Sequence, residues 1–270
     1  MNARSKRLSR IGTVLAVLML VFFLAVPLLS GLLVKLVPDS VLDKAGAQII
    51  DSARADKPYC TDADGTKALD ALVDRLATAS GSDIRFRVYV VGDDEVLNAF
   101  AAAGGHVVIY RRIIEEAKDP DELAGVLAHE MSHELAGHPN KALVEAMGYG
   151  VFSLLTPGGG DIGSQVAATI VTSVHSRDDE LEADRRGVEL LNSAGIDSRG
   201  LARFFDTMKE KGNDIPGALE FISSHPTGER RQAAVKDIEK AGAPALDPAA
   251  WAALRGVCKS TSSTAAPVGS

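Results

Sequence analysis

Apolar positions recur at helical spacing over most of this chain and alternate over only short stretches. Val41, Leu42, Ala45, Ile49 and Ile50 share one face of a helix within Leu36–Ala55, and Leu69, Leu72, Val73 and Leu76 do the same within Thr66–Ala79. Ile84–Val91 alternates in part and is rich in β-formers, which predicts a strand. His106–Tyr110 is a second strand after the Gly104-Gly105 turn, and Asn98-Ala99-Phe100 is a short third one. Asp119-Pro120-Asp121-Glu122 reads as a helix start, with Asp119 as N-cap and Pro120 in the first position. That helix is expected to run through His129 and His133 to about Gly148, with Gly137 shortening or bending it. Thr156–Gly160 breaks the chain. Further helices are predicted over Gly163–Arg186, Ser198–Lys211, Gly217–Ser223 and Glu229–Lys240. The composite is α+β and mainly helical, with a small sheet packed on a helical body.

The N-terminus departs from this pattern. Arg4, Lys6, Arg7 and Arg10 precede an uncharged apolar run from Ile11 to Val34. As a helix the run spans about 36 Å, enough for the hydrocarbon core of a bilayer with some tilt. The basic flank belongs in the cytoplasm and the remainder outside it. No clean small-x-small cleavage site follows, so a retained signal anchor is expected rather than a cleaved peptide. The expected layout is a basic flank over 1–10, a single transmembrane anchor over 11–36, one domain over 37–259 and a disordered Ser/Thr/Ala/Pro-rich tail over 260–270. Ala142–Leu155 and Ile162–Val174 are apolar but too short to span, and read as core or groove-lining helices.

A net charge of −7 with 5% aromatic residues offers neither a basic face nor a stacking surface for nucleic acid. Cys60 and Cys258 are the only cysteines and make no C-x-x-C pair. Outside the cytoplasm they can form a disulfide joining the two ends of the domain.

His129-Glu130-Met131-Ser132-His133 carries the chemistry. Two histidines four apart on a helix project from one face and can share a tetrahedral zinc ion. Glu130 lies about 100° round the helix, close enough to act as base toward a water at the metal without replacing it. A chance match on a surface helix is the alternative; the position inside a capped helix favours the metal. A third ligand is still needed. Glu134, His138, His175, Asp178, Asp179, Glu180 and Glu182 are candidates, although His138, five residues beyond His133, points away from the ligand face of a continuous helix. In Ser176–Asp184, Glu180 and Asp184 form an i,i+4 pair, one able to bind metal and the other to accept an imidazole N–H.

Four motifs, in this order, make the chain resemble the HtpX / CAAX-prenyl-protease family of zinc peptidases (peptidase family M48): Asn98-Ala99-Phe100 with Gly104-Gly105-His106; Leu127 through His133; Ser176-Arg177 through Asp184; and Ser224-His225-Pro226 with Arg230 and Arg231. The resemblance extends from about Val37 to about Arg231. It implies a gluzincin-type domain with one Zn2+ per chain, Glu180 as third ligand, and Asp184 orienting a ligand histidine, His129. It also places His225 and Arg230 near the active site. Two roles stay open there: steadying the oxyanion, or His225 taking the open metal position. On its own, His225 before Pro226 is an ordinary loop histidine. The interval from His133 to Glu180 leaves little room for two inserted spans, which moves the chain toward single-anchor periplasmic members.

The expected function is a zinc metalloendopeptidase anchored in a bacterial inner membrane, its catalytic domain in the periplasm, cutting misfolded or envelope polypeptides. Substrate would lie as an extended strand along Asn98, Ala99 and Phe100. A polypeptide-binding chaperone or adaptor with latent protease activity is the alternative. Prenyl-protein processing fits less well, for want of a multi-span chamber. The oligomeric state is open.

Overall fold

The computed structural model describes residues 3–154, 176–210, 225, 229–264 and 267–269. A mixed five-stranded sheet lies between two helical layers. Its strands are β1 (Tyr59–Cys60), β2 (Arg87–Val91), β3 (Ala99–Ala102), β4 (His106–Tyr110) and β5 (Thr261–Ser262), in the order β3-β4-β2-β1-β5. β2 and β4 run parallel from Arg87 opposite His106, and β3 is antiparallel to β4 with Ala99 opposite Ile109. β3 therefore forms one edge of the sheet.

The two-residue period of the strands divides the core. Val88, Val90, Ala99, Ala101, Val107 and Ile109 face one apolar cluster, and Tyr89, Val91, Phe100, Ala102, Val108 and Tyr110 face the other. The first cluster is closed by α3 (Ala63–Ser80), α5 (Pro120–Ala136), α7 (Arg177–Ser193), α8 (Gly200–Glu210) and α10 (Pro248–Arg255), and the second by α2 (Asp39–Arg54) with α6 (His138–Leu154). α1 (Ala3–Leu33), α4 (Arg111–Glu116) and α9 (Glu229–Lys236) complete the helices named here.

Helix α5 starts as its sequence dictates: Asp119 Oδ1 accepts the N–H groups of Asp121 (3.0 Å) and Glu122 (2.9 Å). It does not run on to Gly148. Gly137 takes φ +74°, a left-handed C-cap whose N–H returns to Glu134 O, and α6 begins at the next residue in a new direction. α5 packs on α7 at close range, because a side chain at Gly187 would meet the backbone around Ala128 and His129. The α7 helix starts at Arg177; the expected helical stretches over 163–175 and 217–223 lie outside the described residues.

Within the tail expected to be disordered, the described residues include some that pair with the sheet. Thr261 and Ser262 pair with Cys60 and Tyr59, and Val268 exchanges both backbone hydrogen bonds with Val88. Composition pointed to disorder, but Cys258 is disulfide-bonded to Cys60, which delivers the following residues to a free sheet edge.

Among the described residues no single helix is long and apolar enough to cross a membrane; Leu24–Leu36 and Asp39–Arg54 qualify together but meet at 115°. α1 leaves Val14, Val17, Val21, Leu24, Leu28 and Leu32 exposed, and Ser30 Oγ donates to Glu145 Oε1 of α6 at 2.7 Å.

Candidate metal centre

Helix α5 contributes His129, Glu130 and His133 from one buried face, α7 contributes Glu180 and Asp184 a turn apart, and His225 enters from the segment before α9. Their donor atoms converge. His129 Nε2 stands 3.1 Å from His133 Nε2, 3.3 Å from His225 Nδ1 and 3.6 Å from Glu180 Oε2. Glu180 Oε1 is 3.4 Å from His133 Nε2, and Glu180 Oε2 is 3.4 Å from His225 Nδ1.

These distances suit a metal. A tetrahedral ion with bonds of about 2.0–2.1 Å separates neighbouring ligand atoms by about 3.3 Å. The observed edges run from 3.1 to 3.6 Å. The far side of each helix histidine is also engaged: His129 Nδ1 lies 3.0 Å from Asp184 Oδ1, and His133 Nδ1 lies 3.0 Å from His138 Nδ1. Both Nε2 lone pairs are thereby turned toward one point, with a wholly buried carboxylate opposite. This donor set fits Zn2+.

Burial and charge are strongly coupled here. Burial alone would lower the His129 pKa, but hydrogen bonds to Asp184 and Glu180 outweigh it and raise it to about 10. Burial would raise Glu180, yet the three surrounding histidines hold it well below the usual carboxylate range. Asp184 is likewise lowered, its burial outweighed by His129 and Arg231. Glu130, 1% exposed, is raised by burial against the opposing charges of His225 and His129. Its Oε1 lies 3.5 Å from His225 Nε2, which also approaches Ala99 O of β3 at 3.3 Å.

The arginine that reaches the carboxylates is Arg231. Its Nε and Nη2 meet Asp184 at 2.5 and 2.6 Å, its Nη1 meets Glu180 Oε2 at 2.8 Å, and its guanidinium stacks over the Phe205 ring. Arg230 lies on α9, and its side chain is outside the described residues.

The remaining candidates separate clearly. Glu134 stands about 100° round α5 from His133, where its Oε2 accepts the Gly105 N–H at 2.9 Å; burial raises its pKa to about 8. Asn140 Oδ1 accepts the adjoining Gly104 N–H at 3.0 Å. Asp178 is exposed, and His175 lies outside the described residues. Asp179 accepts from Ser176 in the capping box of α7, and Glu182 pairs with Arg186. His138 does not point away, because the chain turns at Gly137. Sequence reasoning missed this contact by treating α5 and α6 as one helix. Asn98 Oδ1 accepts the N–H of Ala99 at 2.9 Å, at the start of the edge strand.

Residues 64–239 match the model of peptidase family M48. Among curated proteins the chain is 29% identical to a beta-barrel assembly-enhancing protease of Yersinia pestis, over 66% of this chain and 40% of that one. It is 28% identical to the metalloprotease LoiP of Escherichia coli, over 58% and 64%, and 29% identical to the mitochondrial metalloendopeptidase OMA1 of Arabidopsis thaliana, over 57% and 32%. The matched region thus spans from about a third to just under two thirds of these relatives. With the family model covering more than half of the sequence and all four donors inside the matched region, the chain belongs to peptidase family M48.

Proposed function

We propose that this chain is a zinc-dependent endopeptidase of the cell envelope, with zinc held by His129, His133 and Glu180 and with His225 as a fourth donor that closes the resting site. The observation that carries this reading is the convergence of four buried donors, all within 4.8 Å of one another. Bound zinc supplies Lewis acidity, which polarises a carbonyl oxygen and brings the pKa of water toward neutrality. Glu130 takes the proton of the attacking water and returns it to the leaving amine nitrogen. Burial raises its pKa above the ordinary carboxylate value, which strengthens it as a base. Asp184 holds His129 in the tautomer that presents Nε2 to the metal. Oxyanion stabilisation is assigned to His225, once displaced from the donor set, and to Arg230.

Substrate is proposed to add as a strand along Asn98, Ala99 and Phe100. β3 is a sheet edge, and Ala99 O already faces the donor cluster through His225. Backbone pairing of this kind is tolerant of sequence, as a protease for misfolded polypeptides requires. The membrane anchor is proposed from the basic flank and the uncharged run of α1, with the catalytic domain outside the cytoplasm. The name of the Yersinia pestis relative, a beta-barrel assembly-enhancing protease, is consistent with work at an envelope.

The test uses the full chain in detergent or nanodiscs. Zinc content and cleavage of an unfolded protein are measured for wild type, Glu130→Gln and His225→Ala. The expected result is one zinc per wild-type chain, cleavage slowed about 10²–10⁴-fold in Glu130→Gln and faster cleavage by His225→Ala. Absence of zinc, or equal cleavage by wild type and Glu130→Gln, overturns the protease reading. Polypeptide binding without cleavage even in His225→Ala would instead favour the chaperone alternative.

A further inference from the structure

His133 Nε2 faces the donor cluster, so a metal-competent His133 must carry its proton on Nδ1. That nitrogen lies 3.0 Å from His138 Nδ1. Two ring nitrogens at this distance share one proton, and with His133 Nδ1–H as the donor, His138 Nδ1 must be the acceptor. A neutral His138 then carries its own proton on Nε2. That atom stands 3.3 Å from Asp179 Oδ1, with Glu182 Oε2 further off at 3.7 Å. The directions close into one chain: Asp179 accepts from His138, and His138 accepts from His133.

The fold builds this chain deliberately in two places. In a continuous helix, side chains five residues apart diverge by about 140°. Gly137 ends α5 in the left-handed conformation, so His138 opens α6 and folds back beneath His133, where it is 8% exposed. At the other end, Asp179 is fixed by its capping box: Oδ2 accepts from Ser176 Oγ (2.6 Å) and Ser176 N (3.2 Å), leaving Oδ1 directed at His138. The next residue is Glu180. One turn of α7 therefore supplies both a metal donor and the end of a hydrogen-bond chain supporting another.

We propose that His138 and Asp179 are positioning residues that fix the tautomer and orientation of His133. They do for His133, through an intervening imidazole, what Asp184 does directly for His129. The inference rests on His133 being a zinc ligand. Loss of such a supporting partner weakens metal binding by about 10–100-fold.

The test compares full-length wild type, His138→Ala, His138→Asn and Asp179→Asn. The Asn Oδ1 of His138→Asn can occupy the place of the imidazole Nδ1 and still accept from His133. Zinc affinity is measured by chelator competition, the His133 tautomer by 15N NMR of the zinc-loaded protein, and the melting of the metal-free chain separately. The expected result is zinc binding about 10–100-fold weaker in His138→Ala, largely restored in His138→Asn, with metal-free melting alike in those two variants. An intermediate loss in Asp179→Asn, with His133 Nδ1 protonated in wild type, completes the pattern. Zinc affinity unchanged in His138→Ala overturns the proposal. So does equal weakening in His138→Ala and His138→Asn, which would mean that only packing was lost. If His138→Ala does not fold, the Asn variants and the tautomer decide. A wild-type chain that binds no zinc at all removes the parent reading, a result distinct from any difference between variants.

Discussion

Arg231 grips Asp184 through two nitrogens, Nε on Oδ2 and Nη2 on the same Oδ1 that faces His129 Nδ1, so one buried carboxylate is held between a guanidinium and an imidazole. Arg231 also reaches Glu180, which makes it the counter-charge for two of the site's buried carboxylates, Asp184 and Glu180. Replacing Arg231 with Ala leaves two buried carboxylates short of a partner, at an expected loss of about 3–5 kcal/mol. Lys should recover only part of this, because a single ammonium cannot reproduce the planar fork. Chemical denaturation of the metal-free and zinc-loaded chains measures it, and a loss under about 1 kcal/mol would contradict the assignment.

Glu130→Gln preserves shape while removing the proton acceptor. Zinc stoichiometry should be unchanged and hydrolysis slowed by about 10²–10⁴-fold. Retained zinc is the informative half of the measurement, since it separates a base from a ligand.

The Cys60–Cys258 disulfide closes a loop with a sequence separation of 198 residues. Replacing both cysteines with serine should cost about 5 kcal/mol by the chain-entropy argument. Hydrogen exchange should rise first at Thr261, Ser262 and Val268, whose pairing depends on where Cys258 leaves the chain.

Asp93 gives a pH dependence remote from the metal. Burial raises its pKa, but the N–H groups of Glu95 and Val96 and the ammonium of Lys57 outweigh it, and the net shift is downward from 3.8. A carboxyl depressed in the folded state contributes stability at pH values above its unfolded pKa and loses it as pH falls through the folded one. Asp93→Asn should therefore cost about 1–3 kcal/mol at pH 7. The gap between wild type and variant should shrink below pH 3.8, and a gap that widened on acidification would contradict this.

The metal site was legible where its logic is local. His129, Glu130 and His133 are set by positions on one helix; Glu180 and Asp184 stood out as an i,i+4 pair on another, but Glu180 as the third ligand came from the family resemblance. His225 was visible only through family resemblance, because nothing in its neighbours' periodicity brings a loop histidine to a distant helix. His138 was misjudged through one assumption, that the helix continues past Gly137. The departure at the tail has a similar origin: composition reports what a segment can bury, not that Tyr59 and Val88 present unpaired backbone for it to join. Cys60 and Cys258 were paired by counting, which works when only two exist.

The bonds from Glu134 and Asn140 to the Gly105 and Gly104 amides join the β3–β4 turn to the helices on either side of Gly137. The spacing between the edge strand and the metal donors is thus set before any substrate arrives. On the proposed function, a chain docking along β3 meets a ruler whose divisions are peptide units. The site of cleavage is then counted off in residues from wherever pairing begins, and a change at Glu134 or Asn140 would blur that count before it slowed the chemistry.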